Sequence, residues 1–482
     1  MGKERGFLEY RRKDPGYRPV VERLRDYRAV ETRLGDRELN EQVARCMDCG
    51  VPFCHGCGCP LGNVIPEFNE LAYRNRWKDA LALLLSTNPF PEFMGRICPA
   101  PCEAACVLGI NDDPVTIRQV ELTIGEKGYE LGLMLPRPPA ARRRERVCVV
   151  GSGPAGLAVA EVLNKAGYNV VVYEHAPRPG GILRYGIPDF KFEKWVLDRR
   201  LKLMEEEGVV FENGVEVGHD ISHRYLKDRY QAIVLTGGAR EPRDLKVPGR
   251  ELAGIHFALP FLAQQNRRLA GDPVTAAESI TAEGRSVVII GGGDTGADCL
   301  GTALRQGAKR VLQFEILPKP PPWRSEKTPW PMWPDMVRET SSHKEGGERR
   351  WSVTTLEFIG ADGHVSGMRC ADVEWVVPAG KDRPVPRPIP GTEFTADADL
   401  VLLAMGFVGP GRNLLVERLG IQLDSRGFIR RDENHMTSDP GTFVAGDMTQ
   451  GASLVVRAIL DGRETAEGVM RYLDRQRDPA TL

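Results

Sequence analysis

Eight of the chain's eleven cysteines lie between positions 46 and 106, in two groups. The first reads Cys46-Met-Asp-Cys49-Gly-Val-Pro-Phe-Cys54-His-Gly-Cys57-Gly-Cys59-Pro, the second Cys98-Pro-Ala-Pro-Cys102-Glu-Ala-Ala-Cys106. A secreted disulfide scaffold spreads its cysteines through a short chain, whereas a dense cluster in a reducing compartment points to metal ligands. Each iron of a cubane cluster takes one thiolate, so eight thiols suffice for two [4Fe-4S] clusters. Zinc is the rival reading, because Cys-x-x-Cys also suits a tetrahedral zinc site.

Two glycine loops carry a second chemistry. Val147-Cys-Val-Val-Gly151-Ser-Gly153-Pro154-Ala155-Gly156 is an apolar strand followed by a tight turn that lets backbone approach a pyrophosphate at a helix N-terminus. The next apolar run ends in Glu174, where a ribose hydroxyl would be held. Ser286-Val-Val-Ile-Ile-Gly291-Gly-Gly293-Asp294-Thr295-Gly296 repeats the logic, and its second strand begins at Arg310 and ends at Glu315. Context separates the two. Gly181, Leu183, Gly186 and Ile187 lie in a glycine-rich segment able to pass close to an isoalloxazine, Gly237 ends a short apolar run, and Gly446-Asp447 suits a ribityl hydroxyl. FAD therefore belongs at the first loop and a mobile nicotinamide nucleotide at the second. An adjacent flavin with no Cys pair after Gly181 to accept its electrons favours iron over zinc in the cysteine module.

The elements needed to position these groups suggest four regions: a helical iron–sulfur module with linker over 1–144, a first part of the FAD domain over 145–280, a nucleotide domain over 281–394, and a second FAD part over 395–482. Alternating strands and helices imply an α/β fold with two doubly wound Rossmann-like domains, one inserted in the other. Hydrophobic residues make up 41% and charged residues 27%, with a net charge of −1, so nothing steers the molecule toward nucleic acid. No apolar run reaches the roughly 20 residues that span a membrane, and the start lacks a secretory pattern, so a cytoplasmic protein is expected.

Several segments together resemble the small (beta) subunits of bacterial NADPH-dependent glutamate synthases: Cys49-Gly-Val-Pro-Phe-Cys54, Pro60-Leu-Gly-Asn-Val-Ile-Pro66, Gly291-Gly-Gly-Asp-Thr-Gly-Ala-Asp-Cys299, Thr328-Pro-Trp-Pro-Met-Trp-Pro334 and Ser341-Ser-His-Lys-Glu-Gly-Gly-Glu-Arg-Arg-Trp351. The resemblance implies that Cys46, Cys49, Cys54 and Cys106 hold one cluster. It implies that a second is held by Cys59, Cys98 and Cys102 with a non-cysteine ligand after Val115-Thr-Ile117, which points to Glu121. Cys57 is an additional thiol, so either Cys57 or Cys59 can be the ligand, with Cys59 preferred for its following proline.

What the resemblance further implies is a relay from NADPH through FAD and two clusters to a glutamate synthase large (alpha) subunit, which forms glutamate from glutamine and 2-oxoglutarate. No acid–base pair is named, because hydride transfer requires none. Glu315 alone would favour NADH, and Arg310, Lys319 and Arg324 are close enough in sequence to offset it. The large subunit of a ferredoxin-dependent NADH/NADP transhydrogenase and a non-enzymatic zinc scaffold are the competing readings.

Overall fold

Apolar five- and six-residue runs, too short for helices and rich in valine and isoleucine, form the centres of two parallel sheets. The computed structural model describes residues 2–378, 380 and 382–477. In the first sheet, Arg146–Val150 is central, with Asn169–Glu174 and then Val210–Asn213 on one side, and Ala232–Leu235 and then Thr442–Val444 on the other. In the second, Ser286–Ile290 is central, flanked by Arg310–Glu315 and Glu348–Trp351 on one side, and Leu400–Leu403 and Ile255–Phe257 on the other. The two sheets have the same order around the glycine-loop strand, and every pairing is parallel.

This order corrects the expected boundaries at 280 and 395. Ile255–Phe257 and Leu400–Leu403 were assigned to the FAD domain, yet both hydrogen-bond into the second sheet. A short, wholly buried apolar strand has no polar face to reveal which sheet it joins. The nucleotide domain also carries an antiparallel sheet built on Val353–Ala361 and His364–Val376, with Val385–Pro388 and Phe394–Asp397 along the latter.

The cysteine module is helical. Pro91, Pro101 and Pro154 each open a helix at its first position, where the missing N–H costs nothing. Leu61, Phe90, Phe93 and Met94 of the module share one buried core with Val147, Val149 and Leu157 of the first sheet's domain. The same junction holds a buried two-pronged ion pair, Arg200 Nε to Glu92 Oε1 at 2.6 Å and Nη2 to Oε2 at 2.9 Å. No described helix is long and apolar enough to cross a membrane.

Candidate functional site

All eleven cysteines are free thiols. Cys46, Cys49, Cys54 and Cys106 line one cavity together with Ile65, Asn69 and Val115. Burial pushes the Cys46 thiol up to about 11, and Cys49 and Cys54 also rise, first through burial and then through the charge of Cys106. A second group forms around Glu121. The field of Glu121 reaches Cys59, Cys98 and Cys102, and Cys102 also feels Cys59 and Cys98. Burial pushes Cys59 up to about 11 and Cys98 up to about 12. Burial raises the isolated core thiols Cys148 and Cys299 as well, so it is the gathering of several thiols at one place that suits a metal donor set.

Glu121 sits on the helix Ile117–Glu130 and is buried, with its carboxyl pushed up to about 7 by desolvation against hydrogen bonds from Asn88 and Asn63. Asn88 Nδ2 donates to Glu121 Oε1 at 2.5 Å, and Asn88 Oδ1 accepts from Phe90 N at 2.9 Å, so the aiming residue is itself fixed. Cys57 stands apart. It is exposed and enters neither group. Asn63 and Asn88 escaped the sequence reading, although Asn63 lies inside the Pro60–Pro66 marker segment.

At the first glycine loop the expected residues converge. Gly151 has φ of 109°, and a Cβ there would lie 2.6 Å from the Thr236 carbonyl oxygen, so only glycine lets the next crossing pass so close. Gly153 precedes the helix Pro154–Lys165, and Ala155 and Gly156 lie in its first turn. Glu174 Oε2 accepts from Ser152 N at 3.1 Å and Ser152 Oγ at 2.5 Å; Oε1 accepts from Ala176 N at 2.9 Å and pairs with His175 Nδ1 at 2.7 Å. Burial opposes the Glu174 charge, but these donors outweigh it and hold the carboxyl below its usual range. All four acceptor directions are taken, so a ribose hydroxyl would displace one of these donors.

Ser152 Oγ also accepts from Gly180 N at 2.8 Å, and a Cβ on Gly181 would stand 2.8 Å from Gly153 Cα. The Gly180–Gly181 backbone thus passes directly against the Ser152–Gly153 turn. Leu183 is buried in the domain core, Ile187 packs on its edge, and Gly186 closes the helix Ile182–Tyr185. Gly237 N donates to Met448 Sδ at 3.1 Å, which brings it beside Gly446 and Asp447. Gly446 N donates to Asp461 Oδ2 at 2.5 Å, while Asp447 Oδ1 accepts from Ser453 N at 3.2 Å and Ser453 Oγ at 3.0 Å. Burial lifts the Asp447 carboxyl.

The second loop has the same geometry. Gly291 has φ of 125° beneath the Ala404 carbonyl, and Gly293 precedes the helix Asp294–Arg305 that contains Thr295 and Gly296. Gln313 Nε2 donates to Gly291 O at 2.8 Å, and Gln313 Oε1 meets His343 Nε2 at 2.9 Å. Desolvation pushes His343 down to about 4, so it is a neutral ring at neutral pH. Asp298 pairs with Lys191, tying this helix to the segment after Ile187. Arg310 does not belong here. It opens its strand opposite Ser286, at the end remote from the glycine loop, and its guanidinium holds Glu348 at 3.0 Å. Position near Glu315 in sequence did not mean proximity, because the intervening residues are extended.

With this geometry in view, the matches to known families are specific. A family described as pyridine nucleotide-disulphide oxidoreductase matches residues 145–462, and dihydropyrimidine dehydrogenase domain II, 4Fe-4S cluster, matches residues 23–132. A glutamate synthase [NADPH] small chain from Mycobacterium tuberculosis is 54% identical over 97% of this chain and 95% of its own length. The chain belongs to the glutamate synthase small-chain family. The Bacillus subtilis small chain is 42% identical over 98% of this chain and 99% of its own length. A glutamate synthase [NADH] from Schizosaccharomyces pombe is 44% identical over 97% of this chain, which corresponds to only 23% of that longer protein. FprA from Mycobacterium tuberculosis, solved in complex with NADPH, shares the fold at TM-score 0.56 and 20% identity, over 70% of this chain and 86% of that one. The 4Fe-4S description of residues 23–132 favours iron over zinc for the small-chain cysteine module.

Proposed function

We propose that this chain is the electron-input subunit of a cytoplasmic glutamate synthase, taking hydride from NADPH and delivering electrons to a large subunit that forms glutamate from glutamine and 2-oxoglutarate. FAD, when bound, supplies the conversion between a hydride and single electrons, which two [4Fe-4S] clusters can carry; that chemistry is the cofactors' own. The chain's residues do the holding. Cys46, Cys49, Cys54 and Cys106 are the proposed ligands of one cluster, and Cys59, Cys98, Cys102 and Glu121 those of the other. Gly151, Gly153, Gly156 and Glu174 offer the FAD cradle, with Gly181, Gly237, Gly446 and Asp447 along its length. Gly291, Gly293, Asp294 and Gly296 offer the nucleotide's.

The observation that carries this reading is the continuous core joining the cysteine module to the flavin sheet, with Cys59 and Cys98 packed against it. A zinc scaffold or a free-standing module has no need of that junction. The test is anaerobic titration of the purified chain with NADPH, followed by optical and paramagnetic spectroscopy. Bleaching of a flavin band with appearance of a reduced iron–sulfur signal is expected. A colourless, zinc-containing protein, or a flavin that neither NADPH nor NADH bleaches, refutes the reading.

A further inference from the structure

The two glycine loops allow a comparison within one molecule. Glu174 and Glu315 end equivalent strands, and each accepts the N–H of the residue after the first glycine, from Ser152 at 3.1 Å and from Gly292 at 2.6 Å. Their surroundings then diverge. Glu174 is saturated by four donors, whereas Glu315 takes only Gly292 N and, at 2.8 Å, Leu317 N. Glu315 thus keeps acceptor capacity for a ribose 2′-hydroxyl. A carboxylate there repels a 2′-phosphate, and alone it selects the unphosphorylated nucleotide.

The neighbouring strand supplies what offsets it. The register partner of Glu174 is Asn213, but that of Glu315 is Trp351. Lys319 Nζ stands 5.0 Å from the Trp351 ring centre and Arg349 Cζ 4.9 Å from it. Arg349 donates to the Arg338 carbonyl at 3.0 Å, and neither cation forms an ion pair with a carboxylate among the described residues. The other cations suggested by sequence are committed elsewhere. Arg310 is paired with Glu348, and Arg324 donates to Met332 O, Thr328 O and Ala104 O.

We propose that Lys319 and Arg349, gathered about Trp351, form the subsite for the 2′-phosphate of NADPH and set its preference over NADH against the opposing charge of Glu315. The proposal rests on the reading that the second loop takes the nicotinamide nucleotide. Trp351 orients both cations through their attraction to its ring face, and the free donors of Lys319 and Arg349 are the ones a dianionic phosphate would engage.

The test compares the holoprotein with Lys319→Ala, Arg349→Ala and Glu315→Gln. Calorimetry measures affinity for 2′,5′-ADP and for 5′-AMP, and anaerobic stopped-flow measures flavin bleaching by NADPH and by NADH. Loss of one charged contact is expected to lower the 2′,5′-ADP to 5′-AMP affinity ratio about tenfold. The NADPH to NADH ratio of kcat/KM falls with it, and Glu315→Gln moves both ratios upward. Lys319 is exposed, so its variant is informative even if Arg349→Ala folds poorly. Equal loss for both nucleotides, or unchanged ratios in Lys319→Ala, overturns the proposal while leaving the assigned function intact. Failure of both nucleotides to bleach the unmodified protein overturns the function and the subsite together.

Discussion

Cys59 stands in the field of Glu121 beside Cys98 and Cys102, while Cys57, two residues earlier, faces solvent. The five-residue helical turn Cys54–Gly58 makes the difference, burying Cys54 at its start and releasing the chain at Cys59 N, which donates to Cys54 O at 2.9 Å. On this geometry, and with the two clusters proposed above, Cys59→Ala is expected to lose about half of the iron, the share of one of them, whereas Cys57→Ala keeps it all. Iron analysis on anaerobically purified variants distinguishes them, and equal iron in both would return the choice to open. The sequence left both thiols available and preferred Cys59 only for its following proline, because a short irregular turn has no period from which to read direction. Glu121 was reachable only through resemblance. The asparagines that aim it, Asn63 and Asn88, come from separate segments and carry no spacing rule. Arg310 fails for the opposite reason: its charge and proximity in sequence were visible, but strand extension carries it away from the loop.

At the scale of elements, strands and glycine loops were legible because their chemistry is local. Sheet membership was not, because it depends on which buried edge a strand reaches. The same contrast appears in the segment after Arg310–Glu315. Ser341-Ser-His-Lys-Glu-Gly-Gly consists of polar, charged and glycine residues, yet its Glu345 is buried between two arginines. Arg23 Nε stands 2.8 Å from it, and Arg305 holds it at 2.6 and 2.9 Å. Arg23 comes from the N-terminal segment and Arg305 from the helix Asp294–Arg305, so one carboxylate joins two distant parts of the chain. Arg305 further stacks on Phe190 at 3.9 Å and donates to Asp26 O at 3.2 Å. Glu345→Ala would leave two guanidinium groups buried without a counter-charge, a loss of about 3–5 kcal/mol when one partner of a buried pair is removed. Denaturant unfolding of wild type and variant measures it directly. A difference below about 1 kcal/mol would mean that water or another group already neutralises the arginines.

Across the whole molecule, the nucleotide domain reaches back to the cysteine module. Trp330, in the Thr328–Pro334 segment, donates from Nε1 to Cys106 O at 3.3 Å, and its ring lies 4.7 Å from Phe53, next to Cys54. Arg324 adds a bond to Ala104 O at 3.1 Å. This Trp/Pro-rich segment therefore packs against backbone and ring groups next to the first cysteine group. The half-buried Trp330 indole lies against the Phe53 ring and the Cys106 carbonyl, and it comes from a segment more than 200 residues away. Trp330→Ala removes apolar contact worth about 1–2 kcal/mol at partial burial, which raises the population of an uncovered module about 5–30-fold. Iron extraction from the anaerobic protein by a chelator should accelerate by that factor if opening limits it. Flavin absorbance should not change, because the contacts of Trp330 are with Phe53 and Cys106, and among the described residues none reaches the first glycine loop. If the extraction rate is the same in both proteins, the module opens by its own fraying and the nucleotide domain plays no part in guarding it. If flavin is lost together with iron, the variant has unfolded the junction through Leu61, Phe90 and Phe93 rather than lifted a cover.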